Sequence, residues 1–90
     1  MEKMHYAYMM RCADGKYYCG YTTEPLRREA EHNGSGAPGA KYTRARRPVK
    51  LVYYEEFRTR SEAMKREAAL KKLSHSQKEE LAEGFSAERE

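Results

Sequence analysis

The first pattern along the chain is a pair of short, tyrosine-rich apolar runs on either side of Asp14-Gly15. Both runs are rich in strand-forming residues, and Asp-Gly is a strong turn signal. The pattern predicts a β-hairpin with strands at about His5 to Arg11 and Lys16 to Tyr21. Because side chains alternate along a strand, Tyr18 and Gly20 should share one face. A glycine inside a strand often marks a close approach to the backbone, so this face is a candidate site.

A helix and a third strand follow the hairpin. Helix-start residues and the stop signal Asn33-Gly34 predict a helix from Pro25 to His32, with Leu26 facing the core. A short helical turn is expected at about Ala40 to Thr43, before a strand at about Val49 to Phe57. Alternation assigns part of that strand to the inward face. The inward residues are Val49, Leu51, Tyr53 and Phe57.

Two capping-box patterns open the C-terminal helices. Residues 59–62 and 74–77 each place a hydroxyl residue three positions before Glu or Gln, which satisfies backbone N–H groups at a helix start. They predict one helix that ends near Leu73 and another from His75 to Glu83, which Gly84 should end.

The predicted element order is β-β-α-β-α-α. Three short strands, two of them in a hairpin, indicate a small antiparallel or mixed sheet with helices packed against it, an α+β fold. We expect residues 1–85 to form a single domain, in which Phe85 folds back as a contact. Residues 86–90 should form a frayed acidic tail.

Charge adds a candidate surface to this scaffold. The 90 residues carry a net charge of +4, with a pI near 9.1. Between Lys41 and Lys50 five residues are basic and none is acidic. This segment is compatible with a polyanion such as nucleic acid, although a solvated charged surface explains the charge equally well. The candidate nucleic-acid-binding residues are Lys41, Tyr42, Arg44, Arg46 and Arg47.

Composition also predicts the cellular compartment of the protein. No apolar run approaches the length of a membrane span and no signal peptide is evident, so we expect neither a membrane anchor nor export. Cys12 and Cys19 do not face each other across the predicted hairpin, so we expect two free thiols rather than a disulfide. Free thiols suit the reducing cytoplasm.

Five residues form a candidate catalytic set: Tyr8, Tyr18, Arg28, His32 and Glu67. Each has an ordinary explanation. The tyrosines are typical of sheets, and the arginine of a solvated helix surface. The histidine would suit the negative end of a helix. Glu67 falls within an apolar stripe that includes Met64 and Ala68. A buried carboxylate needs a partner, which here is Lys71 four residues on, a core arginine or a metal.

Together these residue types suit phosphodiester cleavage. That reaction needs a base for water, a cation for the phosphate charge and help for the leaving oxygen. A single carboxylate, with water and substrate oxygens in the remaining positions, suits Mg²⁺ or Mn²⁺. A tyrosine with a pKa near 10 is a poor base unless an adjacent cation such as Arg28 lowers that pKa.

The same positions resemble a known family. Tyr6-Ala7-Tyr8, nine further residues and then Tyr18-Cys19-Gly20 look like the paired motif of the GIY-YIG nuclease superfamily. Ten and fourteen residues beyond the start of the second motif, Arg28 and His32 stand where family members carry an arginine and often a histidine. Glu67 matches the metal-binding glutamate. The resemblance covers about residues 4–73 and is closest to small stand-alone bacterial members.

The resemblance implies a three-stranded antiparallel sheet flanked by helices, and roles for the candidate residues. Tyr18 would be the general base or would position water, with Tyr8 assisting. Arg28 would bind phosphate, and His32 would assist proton transfer or phosphate binding. Glu67 would hold Mg²⁺ or Mn²⁺. Finally, Gly20 would allow close packing of the active-site backbone.

Our leading hypothesis is therefore a metal-dependent endonuclease or phosphodiesterase acting on DNA, with repair or recombination as the expected setting. The alternative is a nucleic-acid-binding accessory module with little activity alone. A third reading is a structural domain in which Glu67 only forms a buried ion pair. Because no separate targeting domain is evident in 90 residues, a protein partner that supplies targeting is part of the expectation.

Overall fold

A computed structural model describes residues 3–34 and 41–89, with side chains given except at 41, 42 and 86–89. The elements are β1 His5–Arg11, β2 Tyr17–Thr22, α1 Pro25–His32, α2 Lys41–Arg44, β3 Lys50–Phe57, α3 Arg60–Lys71 and α4 His75–Arg89. With α2 as the expected short helical turn, this is the predicted order, and Ala40 lies outside the described residues. The fold is α+β, as predicted.

The sheet is antiparallel throughout, with strand order β2-β1-β3. Strand β1 is therefore central, and the mixed-sheet alternative does not apply. The hairpin register pairs Tyr8 with Gly20 and Met9 with Cys19. Cys12 and Cys19 are buried free thiols in two different apolar clusters, so no disulfide links them.

A bulge in β3 makes the predicted inward face of this strand wrong. Met9 pairs with Tyr53 but Met10 pairs with Leu51, so Val52 is an extra residue between the two pairs. One extra residue reverses the alternation. Leu51 and Tyr53 therefore pack into different clusters rather than on one inward face.

Both faces of the sheet are covered. The first cluster packs against α3 and α4 and contains Ala7, Met9, Tyr17, Cys19 and Leu70, with Leu73 and Leu81 at its border. The second contains Tyr8, Met10, Cys12 and Val49. The small core is thus divided into two layers around β1, and the charged surface expected from the low mean hydropathy surrounds them.

Helix α1 turns a polar side to the sheet, which contradicts the prediction for Leu26. The Leu26 side chain is 76% exposed, whereas His32 on the same helix is fully buried. The helix has the predicted ends, and Gly34 beyond it has a φ of +97° that suits glycine. A buried polar helix side needs polar partners, and these partners define the candidate site.

The two capping boxes are confirmed. The Thr59 hydroxyl accepts a hydrogen bond from the Glu62 backbone N–H, and the Ser74 and Gln77 side chains accept reciprocal bonds. On α3 the predicted stripe is partly wrong, because the Met64 side chain is 41% exposed while Glu67 lies on the half-buried side.

Gly84 does not end α4, which continues to Arg89. A glycine inside a helix costs only about 1 kcal/mol. Beyond it, the ring of Phe85 packs on Tyr53 and Tyr54 at centroid distances of 5.6 and 5.1 Å. The expected contact of Phe85 is therefore confirmed. Fraying of residues 86–90 stays a prediction.

In the part of the chain that the structure describes, no helix has the length and apolar character needed to cross a membrane.

Replacing Thr59 with alanine tests the α3 cap. Loss of the side-chain acceptor should lower the free energy of unfolding by about 1 kcal/mol, measured by urea denaturation. The control is Ser61→Ala, at an exposed position of the same first turn, which should change the stability by less than about 0.5 kcal/mol. Equal stability of wild type and Thr59→Ala would contradict the role of the cap.

Candidate active site

The candidate site is built on a chain of buried polar side chains. Tyr8 lies on β1, His32 ends α1 and Thr43 lies on α2. The Tyr8 hydroxyl is 3.1 Å from His32 Nε2, and His32 Nδ1 is 2.8 Å from Thr43 Oγ1. All three side chains are at most 1% exposed. This chain connects the central strand to both helices that follow the hairpin.

Arg28 joins this chain from the preceding turn of α1. Its positive charge acts on the Tyr8 hydroxyl, and its Nη1 donates to Glu31 at 3.0 Å. A cation beside the phenol oxygen favours the arrangement in which the O–H points away from it, so we assign the Tyr8 hydroxyl as the donor to His32 Nε2. The second ring nitrogen, Nδ1, then carries the proton and donates to Thr43.

Gly20 leaves the space that the Tyr8 ring fills. Tyr8 and Gly20 are paired across the hairpin. A Cβ added at Gly20 would lie 2.6 Å from Tyr8 Cζ, far inside van der Waals contact. The predicted close packing at Gly20 is thus present in the structure, and its neighbour is the ring of Tyr8.

Burial determines the protonation states of the chain. Desolvation, reinforced by the positive charge of Arg28, lowers the pKa of His32 to about 4. Desolvation raises the pKa of Tyr8 to about 12, against the opposing effect of Arg28. Both side chains are neutral near pH 7. Burial raises the pKa of Tyr8 by more than Arg28 lowers it, so the expected effect of Arg28 is present but does not make Tyr8 a base near pH 7.

Tyr18 lies beside this chain but is less enclosed. Its ring centroid is 5.0 Å from that of His32 and 6.3 Å from that of Tyr8. The Tyr18 side chain is half-buried, whereas Tyr8 is 1% exposed. Of the two predicted catalytic tyrosines, Tyr18 is therefore the one that a substrate in solution can reach.

Glu67 approaches the tyrosines from α3. Its charge contributes to the raised pKa of Tyr8, and Tyr18 contributes to the raised pKa of Lys71, the ion-pair partner of Glu67. The Glu67 carboxylate is 2.9 Å from the Lys71 ammonium. The ion-pair partner considered from sequence is thus present, but the Lys71 side chain is 58% exposed. Pairs of this kind contribute little to stability.

The donor set at Glu67 suits one kind of metal. Among the described residues, no three His, Cys, Asp or Glu side chains group together as ligands. A Zn²⁺ site built from protein ligands therefore does not fit. A single carboxylate fits Mg²⁺ or Mn²⁺, which keep waters and bind substrate oxygens, provided that the exposed Lys71 moves aside.

In the basic segment from Lys41 to Lys50, fewer side chains are free to bind a polyanion than the sequence suggested. Arg46 pairs with Asp14 at 3.1 Å, and Arg47 Nε donates to the His32 backbone carbonyl at 2.6 Å. Arg44 is exposed. The side chains of Lys41 and Tyr42 lie outside the described part of the chain.

Three further residues contribute to the site and were not among the predicted ones. Thr43 and Glu31 hold His32 and Arg28, and Asn33 bonds both backbone groups of Val49 at 2.7 and 2.9 Å. The spacing of Glu31 three residues after Arg28 on a helix was a usable signal. Nothing local in the sequence identifies Thr43, because its partner is eleven residues away.

Comparison with known proteins identifies the family of the chain. The GIY-YIG catalytic domain matches residues 4–80. A UPF0213 protein of Enterococcus faecalis is 57% identical over 86 residues, covering 93% of this chain and 96% of the relative. A UPF0213 protein of Halobacterium salinarum is 55% identical over 78 residues, covering 87% and 99%.

Solved structures agree as well. A solution NMR structure of an E. faecalis protein matches with 49% identity and a TM-score of 0.58, covering 96% of this chain and 90% of its own. The UPF0213 protein of Bacillus halodurans matches with 44% identity and a TM-score of 0.54, covering 89% and 83%. The chain belongs to the GIY-YIG family, a family of nuclease domains.

Replacing Gly20 with alanine tests the contact with Tyr8. The added methyl group must displace a buried ring, so the free energy of unfolding should fall by about 1–3 kcal/mol, measured by urea denaturation. Gly84→Ala is the matched control, because a Cβ there meets nothing within 4 Å. That helical variant should be neutral or more stable by up to about 1 kcal/mol. A Gly20→Ala protein as stable as wild type would contradict the close packing.

The stability of the protein at acidic pH tests whether His32 is buried in its neutral form. Its pKa is about 4 when folded and about 6.5 when unfolded, so between these values the unfolded chain binds more protons. Stability is therefore retained above pH 6.5 and lost as pH falls, by about 2 kcal/mol between pH 7.5 and pH 5. The difference in pH dependence between wild type and His32→Gln, both by urea denaturation, isolates residue 32. Identical pH dependence in the two proteins would contradict the prediction.

Proposed function

We propose that this protein is a metal-dependent phosphodiester hydrolase that acts on DNA. The proposal is based mainly on the exposure and the contacts of Arg28. Its side chain is 28% exposed, pairs with half-buried Glu31 at 3.0 Å and carries its charge close to buried Tyr8. A cation held in this way is a preorganised site for a phosphate charge.

Arg28 has donors left for a substrate. A guanidinium has five N–H groups, and the bond to Glu31 leaves several of them for phosphate oxygens. Charge-assisted bonds of this kind are the stronger class. The ion pair with Glu31, one turn away on the same helix, orients Arg28 before a substrate arrives.

Among the aromatic candidate residues, two position other groups and one acts on the substrate directly. Tyr8 and His32 are neutral and buried, so they act as positioning residues that orient Arg28 and the ring of Tyr18. Tyr18 is the accessible phenol, and it positions the attacking water or accepts its proton. The roles proposed for Tyr8 and His32 are thus less direct than the resemblance implied.

Glu67 would hold the metal. Mg²⁺ or Mn²⁺ bound there supplies Lewis-acid stabilisation of the phosphate charge. The carboxylate is close enough to Tyr8 for its charge to affect the phenol, which supports a shared site. Lys71 holds the carboxylate when no metal is bound, and it is exposed enough to leave.

The setting of the activity is part of the proposal. Two buried free thiols suit the reducing cytoplasm. The basic character of the chain suits nucleic acid, and we infer DNA as the substrate in repair or recombination. Phosphate contacts do not select a sequence, so a partner protein would supply targeting.

Cleavage of labelled single-stranded, duplex and branched DNA tests the function. With Mg²⁺ or Mn²⁺, wild type should cleave at least one substrate, and EDTA should abolish cleavage. Arg28→Ala and Glu67→Ala should each lower the rate about 100-fold or more while remaining folded. Matched controls are Arg27→Ala, at the neighbouring and 69% exposed arginine, and Glu83→Ala on α4. Both should retain activity.

The outcomes separate the candidate functions. Retained cleavage in folded Arg28→Ala or Glu67→Ala would contradict the proposed site. Salt-dependent DNA binding without any wild-type cleavage would contradict the enzyme and favour the accessory module. A loss of several kcal/mol of stability in Glu67→Ala would instead favour the purely structural ion pair.

A further inference from the structure

The outer side of α3 carries a cavity that is shallow and largely open to solvent, and the candidate site does not use it. Its volume is about 530 Å³. The lining residues are Arg60, Ser61, Met64, Lys65 and Ala68. We propose that this cavity binds the nucleotide next to the scissile phosphate, so that a nucleic-acid strand lies along α3. The inference rests on the proposed function, because it places that subsite beside Glu67.

The charge of the cavity suits a polyanion. Within the described part of the chain, neither Arg60 nor Lys65 forms an ion pair, and no carboxylate lines the cavity. Most other basic side chains near the site form ion pairs with carboxylates. These side chains are Arg27, Arg28, Arg46, Arg66 and Lys71. Arg60 and Lys65 can therefore bind phosphate without first breaking an internal ion pair.

The cavity also offers an apolar surface. Met64 is one of two large hydrophobic side chains that are exposed among the described residues, at 41%. Arg60 lies over the ring of Tyr21, 5.6 Å from its centroid, which holds the guanidinium beside the cavity. A flexible thioether between two cations suits the sugar and base of a nucleotide whose phosphates the cations bind.

The position of the cavity on the helix links it to the candidate metal site. Met64 and Glu67 are three residues apart on α3, and Glu67 and Lys71 are four apart. Residues at this spacing are neighbours on a helix surface, about 5–6 Å apart between Cβ atoms. A strand whose scissile phosphate reaches Glu67 therefore has its adjacent nucleotide within reach of Met64 and Arg60, three and seven residues before Glu67 on the same side of the helix. Lys65, two residues before Glu67, points away from it and borders the other side of the cavity.

This path differs from the one that the sequence suggested. The segment from Lys41 to Lys50 has the densest basic charge, but Arg46 and Arg47 there form contacts with Asp14 and the His32 carbonyl. The cations on α3 are more widely spaced in sequence, and the helix brings them to one cavity. The proposed strand contact therefore lies on α3 rather than at Arg46 and Arg47.

Binding of a fluorescein-labelled 12-nucleotide single-stranded DNA in EDTA tests this subsite without cleavage. Anisotropy is measured over a range of salt concentrations for wild type, Arg60→Gln/Lys65→Gln and Arg11→Gln/Lys16→Gln. The control pair removes the same charge from exposed positions near the hairpin turn. The α3 variant should bind at least 10-fold more weakly at low salt. Its log–log salt slope should fall by about 1.4, or about 0.7 per phosphate contact.

The results distinguish this inference from the proposed function. Equal slopes in the α3 variant and wild type, or equal losses in the two double variants, would overturn the subsite, even if wild type cleaves DNA. Absence of wild-type binding would overturn it too. Conversely, selective loss in the α3 variant supports the subsite even if no cleavage is found. Circular dichroism and thermal melting establish that both double variants are folded.

Met64→Ala tests the apolar part of the subsite. Binding should weaken about 2- to 5-fold with an unchanged salt slope, because no phosphate contact is lost. The control is Leu26→Ala, at the other exposed large hydrophobic residue, which should bind as wild type does. Equal affinity of Met64→Ala and wild type would restrict the subsite to its two cations.

Discussion

The hydrogen bond between the Tyr8 hydroxyl and His32 Nε2 is the interaction on which the candidate site depends. It joins the central strand to the end of α1, and the bond from His32 to Thr43 extends it to α2. A buried polar side chain without a partner is costly. Among the described side chains, however, no buried N or O atom lacks one. Arg28, which pairs with Glu31 on the same helix, carries its charge beside these bonds.

The bond between Tyr8 and His32 explains why the hydrophobic side chain of Leu26 on α1 faces solvent. The helix ends on His32, whose ring must lie against Tyr8, so Leu26, six residues earlier, is left exposed. Apolar packing is supplied on the other face, by Leu70 and its neighbours. Apolar packing of α3 and α4 therefore supplies most of the stability of the fold, whereas α1 contributes a polar network. Exposed groups on α1 and α3 remain available to a substrate.

The sequence predicted local features well and long-range ones poorly. The hairpin turn, the ends of α1 and both capping boxes depend on neighbouring residues, and each was found. The bulge at Val52 and the continuation of α4 through Gly84 depend on partners far along the chain. Neither was predicted. The same distinction holds within the site. Motif spacing identified Arg28, His32 and Glu67 as candidates, whereas only the fold brings Thr43 to His32. Likewise, only the fold shows that no acidic side chain among the described ones pairs with Arg60 or Lys65.

The most direct test of the central hydrogen-bond chain is the tautomer of His32 in solution. Long-range ¹H–¹⁵N correlation spectra at pH 6 report the protonation of each ring nitrogen. We expect a neutral His32 ring with the proton on Nδ1 and with Nε2 as the acceptor from Tyr8, because the positive charge of Arg28 acts on the phenol oxygen. A charged ring at pH 6, or a proton on Nε2, would contradict this hydrogen-bond chain.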